Sequence, residues 1–163
     1  MIVIADTSPL NYLILIGEIE LLPKLLGQVI IPKAVFDELQ AKETPLIVQA
    51  FFRNLPDWLE LREAQLLLDE DLDGLDLGER EAIILAEDLS ADALLIDERD
   101  GREVALKRNL PVLGTLGILE RAADVGILDF TETLHELKTK GFFIAPDLEK
   151  HFLERDAERK LKS

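Results

Sequence analysis

Three short, unbroken apolar runs constrain this chain more than anything else in it: Ile2-Val3-Ile4-Ala5, Val29-Ile30-Ile31 and Ala93-Leu94-Leu95-Ile96. Runs of this length, without polar alternation, read as strands buried on both faces, the pattern of a parallel sheet covered by helices. A half-buried strand at Trp58-Leu59-Glu60-Leu61 and a short one at Pro111-Val112-Leu113 complete the set. Helical stretches fill the intervals. Alternating strands and helices predict a three-layer α/β/α fold with a central parallel sheet.

The punctuation between the runs is consistent with this. Ser8-Pro9 reads as an N-cap followed by proline in the first turn, opening a helix with Leu10, Leu13, Ile14 and Ile16 that ends near Gly17. A second helix over about 19–26 closes at Gly27, and a third runs from Pro32 to Gln40. Thr44-Pro45 starts a helix to about Leu55; Asp69 to Asp76 is a loop; a strong helix covers Gly78 to Leu89. A charged helix then reaches Arg108, and Gly114-Thr115-Leu116-Gly117 opens another that ends near Gly126. From Phe130 onward the pattern is a helical pair, with Leu148, His151, Phe152 and Leu161 expected to face inward in the last helix. We divide the chain into a domain at 1–129 and a C-terminal helical extension at 130–163 packed on it.

Composition excludes several classes of function. The 163 residues contain no Cys, so disulfides and thiolate metal sites are absent. No apolar run reaches the roughly 18–20 residues of a membrane span, and the N-terminus lacks the basic region and cleavage site of a signal peptide. These features point to a cytoplasmic protein. His135 and His151 lie in the C-terminal helices without a catalytic partner in sequence and are read as structural. No phosphate-binding glycine loop and no G-x-S-x-G occur, which leaves nucleotide-binding and acyl-transfer chemistry without support.

Charge is uneven. Residues 57–103 hold 17 Asp or Glu against four Arg, and the rest of the chain is nearly balanced within a formal net charge of −15. Much of this is a solvated acidic face that keeps the protein soluble. It also repels nucleic acid, which basic patches usually recruit. Only cations, or a basic partner, would reverse that.

Four acidic positions stand out from the surface charge. Asp6 and Asp97 each end an apolar strand, at the edge where open α/β sheets bind ligands. Glu38 shares the apolar stripe of Val35 and Leu39, whereas Asp37 aligns with Lys33 toward solvent. Glu79 lies on the stripe of Ala82, Ile83 and Ala86; Glu81, with Leu85 and Asp88, is its competitor. Asp100 lies just beyond Asp97 and is a second candidate there. Thr7 and Ser8 carry hydroxyls for capping, or for holding Asp6. Converging carboxylates without Cys or His suit a hard cation such as Mg²⁺ or Mn²⁺.

The ordered set Ile4-Ala5-Asp6-Thr7-Ser8-Pro9-Leu10, Pro32 to Leu39, Leu77-Gly78-Glu79-Arg80-Glu81-Ala82-Ile83 and Leu94 to Arg102 resembles PIN domains, the ribonuclease fold of VapC-type toxins. Gly114 to Leu119 and the tail around Leu137 to Phe143 are similar too, so the resemblance spans essentially the whole chain, most closely to a PIN-like subfamily of prokaryotes. It implies that Asp6 and Glu38 are the first two metal-binding and catalytic acids. Glu79 or Glu81 is then the third, and Asp97 or Asp100 the fourth. Typical toxins have Asp at the third position and a Thr-x-Asp arrangement at the fourth; this chain has neither.

The expected function is a Mg²⁺- or Mn²⁺-dependent ribonuclease, the toxin of a toxin–antitoxin pair, with RNA as substrate, a basic antitoxin as partner and no membrane. The alternative is a non-catalytic PIN-like interaction module. A phosphatase of haloacid-dehalogenase type is disfavoured, because no second Asp stands two residues after Asp6. Leu10, Leu13, Ile14, Phe51, Phe52, Phe142 and Phe143 are the apolar residues expected to support a homodimer.

Overall fold

The structure is a computed structural model that describes residues 1–65 and 68–163. Contacts divide the chain into two compact units, Met1–Thr115 and Leu116–Ser163.

The first unit is built on five strands: β1 (Val3–Ala5), β2 (Val29–Pro32), β3 (Leu59–Arg62), β4 (Ala93–Leu95) and β5 (Val112–Leu113). They form one sheet in the order β3-β2-β1-β4-β5, with every pairing parallel. Its helices are α1 (Thr7–Leu15), α2 (Leu21–Leu26), α3 (Lys33–Glu38), α4 (Leu46–Phe52), α5 (Leu77–Asp88) and α6 (Arg99–Lys107). A turn of 3₁₀ helix at Glu70–Leu72 lies inside the acidic stretch that the sequence reads as loop, and Leu72 anchors it in the core. The architecture is the three-layer α/β/α arrangement.

Every residue of β1, β2 and β4 is buried, as strands covered on both faces require. Helix α5 packs against β1, β2, β4 and α3, and from Gly78 to Ala86 only Arg80 escapes burial. The topology then places the site. From β1 the chain turns toward β2 on one side, and from β4 it turns toward β5 on the other. The sheet therefore reverses direction between β1 and β4, and a crevice opens at their carboxyl ends.

Helix α1 departs from the sequence reading. Its N-cap is Asp6, and no side chain caps it; Ser8 and Pro9 lie inside the first turn. Leu10, Leu13, Ile14 and Phe52 are core residues and cannot form an association surface. The sheet and helices of this unit absorb them completely.

The second unit contains the rest of α7 (Thr115–Asp124), α8 (Phe130–Thr139) and α9 (Pro146–Lys162). Leu148, His151 and Leu161 of α9 are exposed, contrary to the apolar pattern. The face turned inward is polar instead. Phe152 stacks on Phe130 at 5.8 Å, and Asp156 and Arg159 follow at helical spacing. Asp156 is only 2% exposed yet accepts from Thr131 (2.8 Å) and pairs with Arg159 (2.6 Å) and Lys160 (3.0 Å). Arg159 also reaches Asp124, and Arg155 holds Glu120 through two hydrogen bonds, at 2.9 and 2.7 Å. This compensation explains how a charge sits where hydropathy calls for leucine: burial pushes its pKa up, but the cations and Thr131 hold it below the usual carboxylate range.

Replacing Asp156 with Ala should destabilise Leu116–Ser163 by about 1–3 kcal/mol, because Arg159 and Thr131 lose a buried acceptor. Urea unfolding followed by amide exchange in α8 and α9 measures it; unchanged protection would show that the apolar contacts alone hold the helices.

Candidate functional site

A cleft of about 570 Å³ opens at the sheet's reversal point, lined by Asp6, Thr7, Ser8, Asn11, Tyr12, Glu38, Thr44, Asp76, Glu79 and Glu98 among others. Each acid arrives from a different element. Asp6 is the residue after β1, pinned there by its own N–H donating to the Leu95 carbonyl at 2.9 Å. Glu38 is the last residue of α3. Glu79 lies in the first turn of α5 and Asp76 caps that helix, accepting from the Glu79 N–H at 2.8 Å. Glu98 caps α6.

Glycines make room for these carboxylates. A methyl group on Gly78 would stand 3.3 Å from Glu38 Oε2 and 3.4 Å from Asp6 Oδ1, so those two acids converge over one bare patch of α5. A methyl on Gly101 would meet Glu79 Oε2 at 2.7 Å. Helix α6 can approach Glu79 only because position 101 lacks a side chain.

Hydroxyls orient the ring of acids. Thr7 Oγ1 donates to Glu38 Oε2 at 2.8 Å and Ser8 Oγ to Asp97 Oδ2 at 3.0 Å. Thr115 then adds its N–H and its hydroxyl to the same Asp97 carboxylate, at 2.8 and 2.7 Å. Asp97 is thus held by three donors beside the cleft, close enough for its charge to act on Asp6.

The two candidate pairs separate clearly. Glu79 faces the cleft, whereas Glu81 is buried on another side of α5, where Oε1 accepts from the Ala34 N–H at 3.0 Å in the first turn of α3. Asp100 is exposed in the first turn of α6 and is not a lining residue. Glu38 is exposed rather than inward: α3 ends at this residue, so its side chain leaves the apolar stripe for the cleft mouth. Asp37 pairs with Lys33 at 2.9 Å in solvent. Sequence reasoning missed Asp76, Glu98 and Thr115. The first was legible as the cap of Asp76-Leu77-Gly78-Glu79, an acid at N-cap and another at N3; the others carry no signal of their own.

Crowded acids shift one another. Burial pushes Asp6 up to about 7, reinforced by Asp76, Glu38 and Asp97 and opposed by a hydrogen bond from the Thr7 N–H. Burial also pushes Glu79 up to about 8, helped by its hydrogen bond with Asp76 and by the charges of Asp76, Asp6 and Glu98. The cleft therefore stores protons near neutral pH that an unfolded chain would have released.

Oxygen donors alone, carboxylates with hydroxyls beside them, are the chemistry of a hard divalent cation. The donor set fits one, although among the described residues no three acidic or imidazole side chains meet as a ready-made ligand group.

A sequence profile of the PIN domain matches residues 2–158. The chain belongs to the PIN domain family. PIN domains are in general nucleases and typically use divalent metals. No curated protein and no solved structure matches the chain. For this PIN domain the match covers both compact units, and no described helix is long and apolar enough to cross a membrane.

The raised carboxyl groups make stability depend on pH. A folded pKa above the ordinary value means that the native state binds more protons, so stability falls as pH rises from about 4 to about 8. Asp6 alone contributes a decline of about 4 kcal/mol over that range. Asp6→Asn should flatten the curve and leave the protein equally or more stable at pH 8. Denaturant titrations at pH 5 and pH 8 test this; equal slopes in both proteins would remove Asp6 from the account.

Proposed function

We propose that this PIN domain is a Mg²⁺- or Mn²⁺-dependent ribonuclease acting in the cytoplasm as a homodimeric toxin restrained by a basic antitoxin. The observation that carries the reading is that Asp6, Glu38 and Glu79, each from a different element, line one cleft where the sheet reverses, with Asp97 fixed beside it. These four residues would hold the cation. When bound, it supplies an activated water, neutralises the scissile phosphate and stabilises the leaving oxygen.

The chain's own residues account for the remainder. Thr7 and Ser8 fix the Glu38 and Asp97 carboxylates, so that neither swings away when the site fills. Burial raises the Asp6 and Glu79 carboxyl groups toward neutral pH, so that filling the site with a cation would be coupled to deprotonation at those oxygens. Asn11, Tyr12 and Thr44 give the cleft a non-acidic wall against which a nucleotide can lie.

The second reading is a non-catalytic interaction module. It draws on Asp97, whose oxygens are engaged by Ser8 and Thr115. It draws also on the acidic surface of residues 57–103, which suits a basic protein partner.

Calorimetric titration with Mn²⁺ at pH 7.5, alongside cleavage of a generic single-stranded RNA, separates the two. A nuclease binds the ion, gains melting temperature from it and cleaves. Asp6→Asn should lose both binding and cleavage, the latter by at least a hundredfold. Cleavage at full rate by purified Asp6→Asn protein would refute the assignment of Asp6. Failure of the parent protein to bind Mn²⁺ would favour the interaction module.

A further inference from the structure

One outer edge of the sheet carries a charge pattern that is complementary to itself. Strand β3 ends the strand order, so β2 pairs with one of its sides and, among the described residues, no strand pairs with the other. The Val29 N–H donates to the Trp58 carbonyl at 2.8 Å. Alternate residues of a parallel ladder face the partner, so the main-chain groups of Glu60 point at β2 and those of Leu61 point outward. The Leu61 side chain is 40% exposed, although it lies on the same sheet face as the buried Leu59. Glu60 and Arg62 occupy the opposite face, 2.9 Å apart, with both side chains well exposed.

We propose that β3 is the docking edge for a second copy of this chain, the two strands pairing antiparallel about a two-fold axis at Leu61. Two five-stranded sheets then become one of ten. This rests on the homodimer reading above and names its surface.

The register follows from symmetry. A two-fold axis perpendicular to the sheet keeps each side chain on its own face, so paired residue numbers must sum to an even number. With the axis at Leu61, Glu60 faces Arg62 of the second copy and Arg62 faces its Glu60. Leu59 then faces Glu63 and Trp58 faces Ala64. No acid opposes an acid, although the segment carries Asp57, Glu60 and Glu63 against one arginine. Moving the axis one residue toward the N-terminus sets Glu60 against Glu60; moving it one residue the other way sets Arg62 against Arg62. Like charges directly opposite destabilise a pair of strands, and opposite charges stabilise it. Charges on an edge strand commonly blunt its association; on this edge there is a single register in which they attract. A two-fold contact is self-complementary by construction, and this pattern meets that requirement. Trp58, half-buried with its ring 6.3 Å from that of Phe51, adds apolar surface at the end of the paired strands.

The absence of cysteine makes the test clean. Leu61→Cys would place a lone thiol on the axis, and mild oxidation should convert most of the protein into a covalent dimer. The control Leu106→Cys, exposed on α6, should not cross-link beyond the level of random collision. Sedimentation gives the second measure. Glu60→Arg and Arg62→Glu should each weaken the dimer at least tenfold, and the double variant Glu60→Arg/Arg62→Glu should restore it, because the exchange rebuilds both pairs. A parent chain that sediments as a monomer at tens of micromolar would overturn the dimer and this edge together. A parent dimer indifferent to both charge reversals, with the Leu61→Cys variant left uncross-linked, would overturn the edge alone and leave the dimer to another surface.

Discussion

The hydrogen bonds on Asp97 decide where the other parts of the site can be. One carboxylate receives Ser8 from the first turn of α1 and both the N–H and hydroxyl of Thr115 after β5. It thereby ties the mouths of the two strands between which the sheet reverses. Without it, α1 and the turn after β5 would share only the short strands behind them, β1 with three residues and β5 with two. Gly114 belongs to the same construction, since a methyl there would meet Asp97 Oδ1 at 3.0 Å and Arg102 Nη1 at 2.8 Å. An acid that sequence alone marks as a ligand is, in this arrangement, also a structural clamp.

Helix α5 shows how one amphipathic element can carry two buried acids to different purposes. Glu79 and Glu81 are separated by about 200° around the helix axis, so they cannot share a destination. One meets the cleft; the other accepts from the first turn of α3, the short helix whose far end delivers Glu38. Glu81 is thus tied to the cleft without lining it, through the placement of α3. Burying a carboxylate is costly unless it is satisfied, and each acid here has a partner: Glu81 a backbone donor, Glu79 a hydrogen bond with Asp76 that favours its neutral form.

The sequence was most legible where chemistry is local. Ile2–Ala5, Val29–Ile31 and Ala93–Ile96 declared buried parallel strands because an uninterrupted apolar run has few other uses. Asp6 and Glu79 declared themselves by strand-end and stripe position. Glu38 did not follow the same logic, because α3 stops at that residue and a stripe has no meaning past the end of its helix. Thr115 and Glu98 were illegible, since what makes them part of the site is the folding of remote segments onto them. The last helix misled for a different reason. Hydropathy assigns Asp156 and Arg159 to solvent, yet each neutralises the other, and the pair packs where Leu148 and Leu161 do not.

The two units hold charge in opposite ways, and dissolved salt distinguishes them. In the first unit the cleft gathers charges of one sign, an arrangement that mobile ions relieve. In the second, α7 and α9 are laced by attractions of opposite sign among Glu120, Asp124, Asp156, Arg155 and Arg159. The screening length shrinks from about 10 Å at 0.1 M to about 3 Å at 1 M. Raising ionic strength therefore relaxes the sheet-bearing unit while loosening the exposed strands of the lacing in the helical one. Within one chain, the same solvent variable acts as a stabiliser at one end and a solvent for structure at the other.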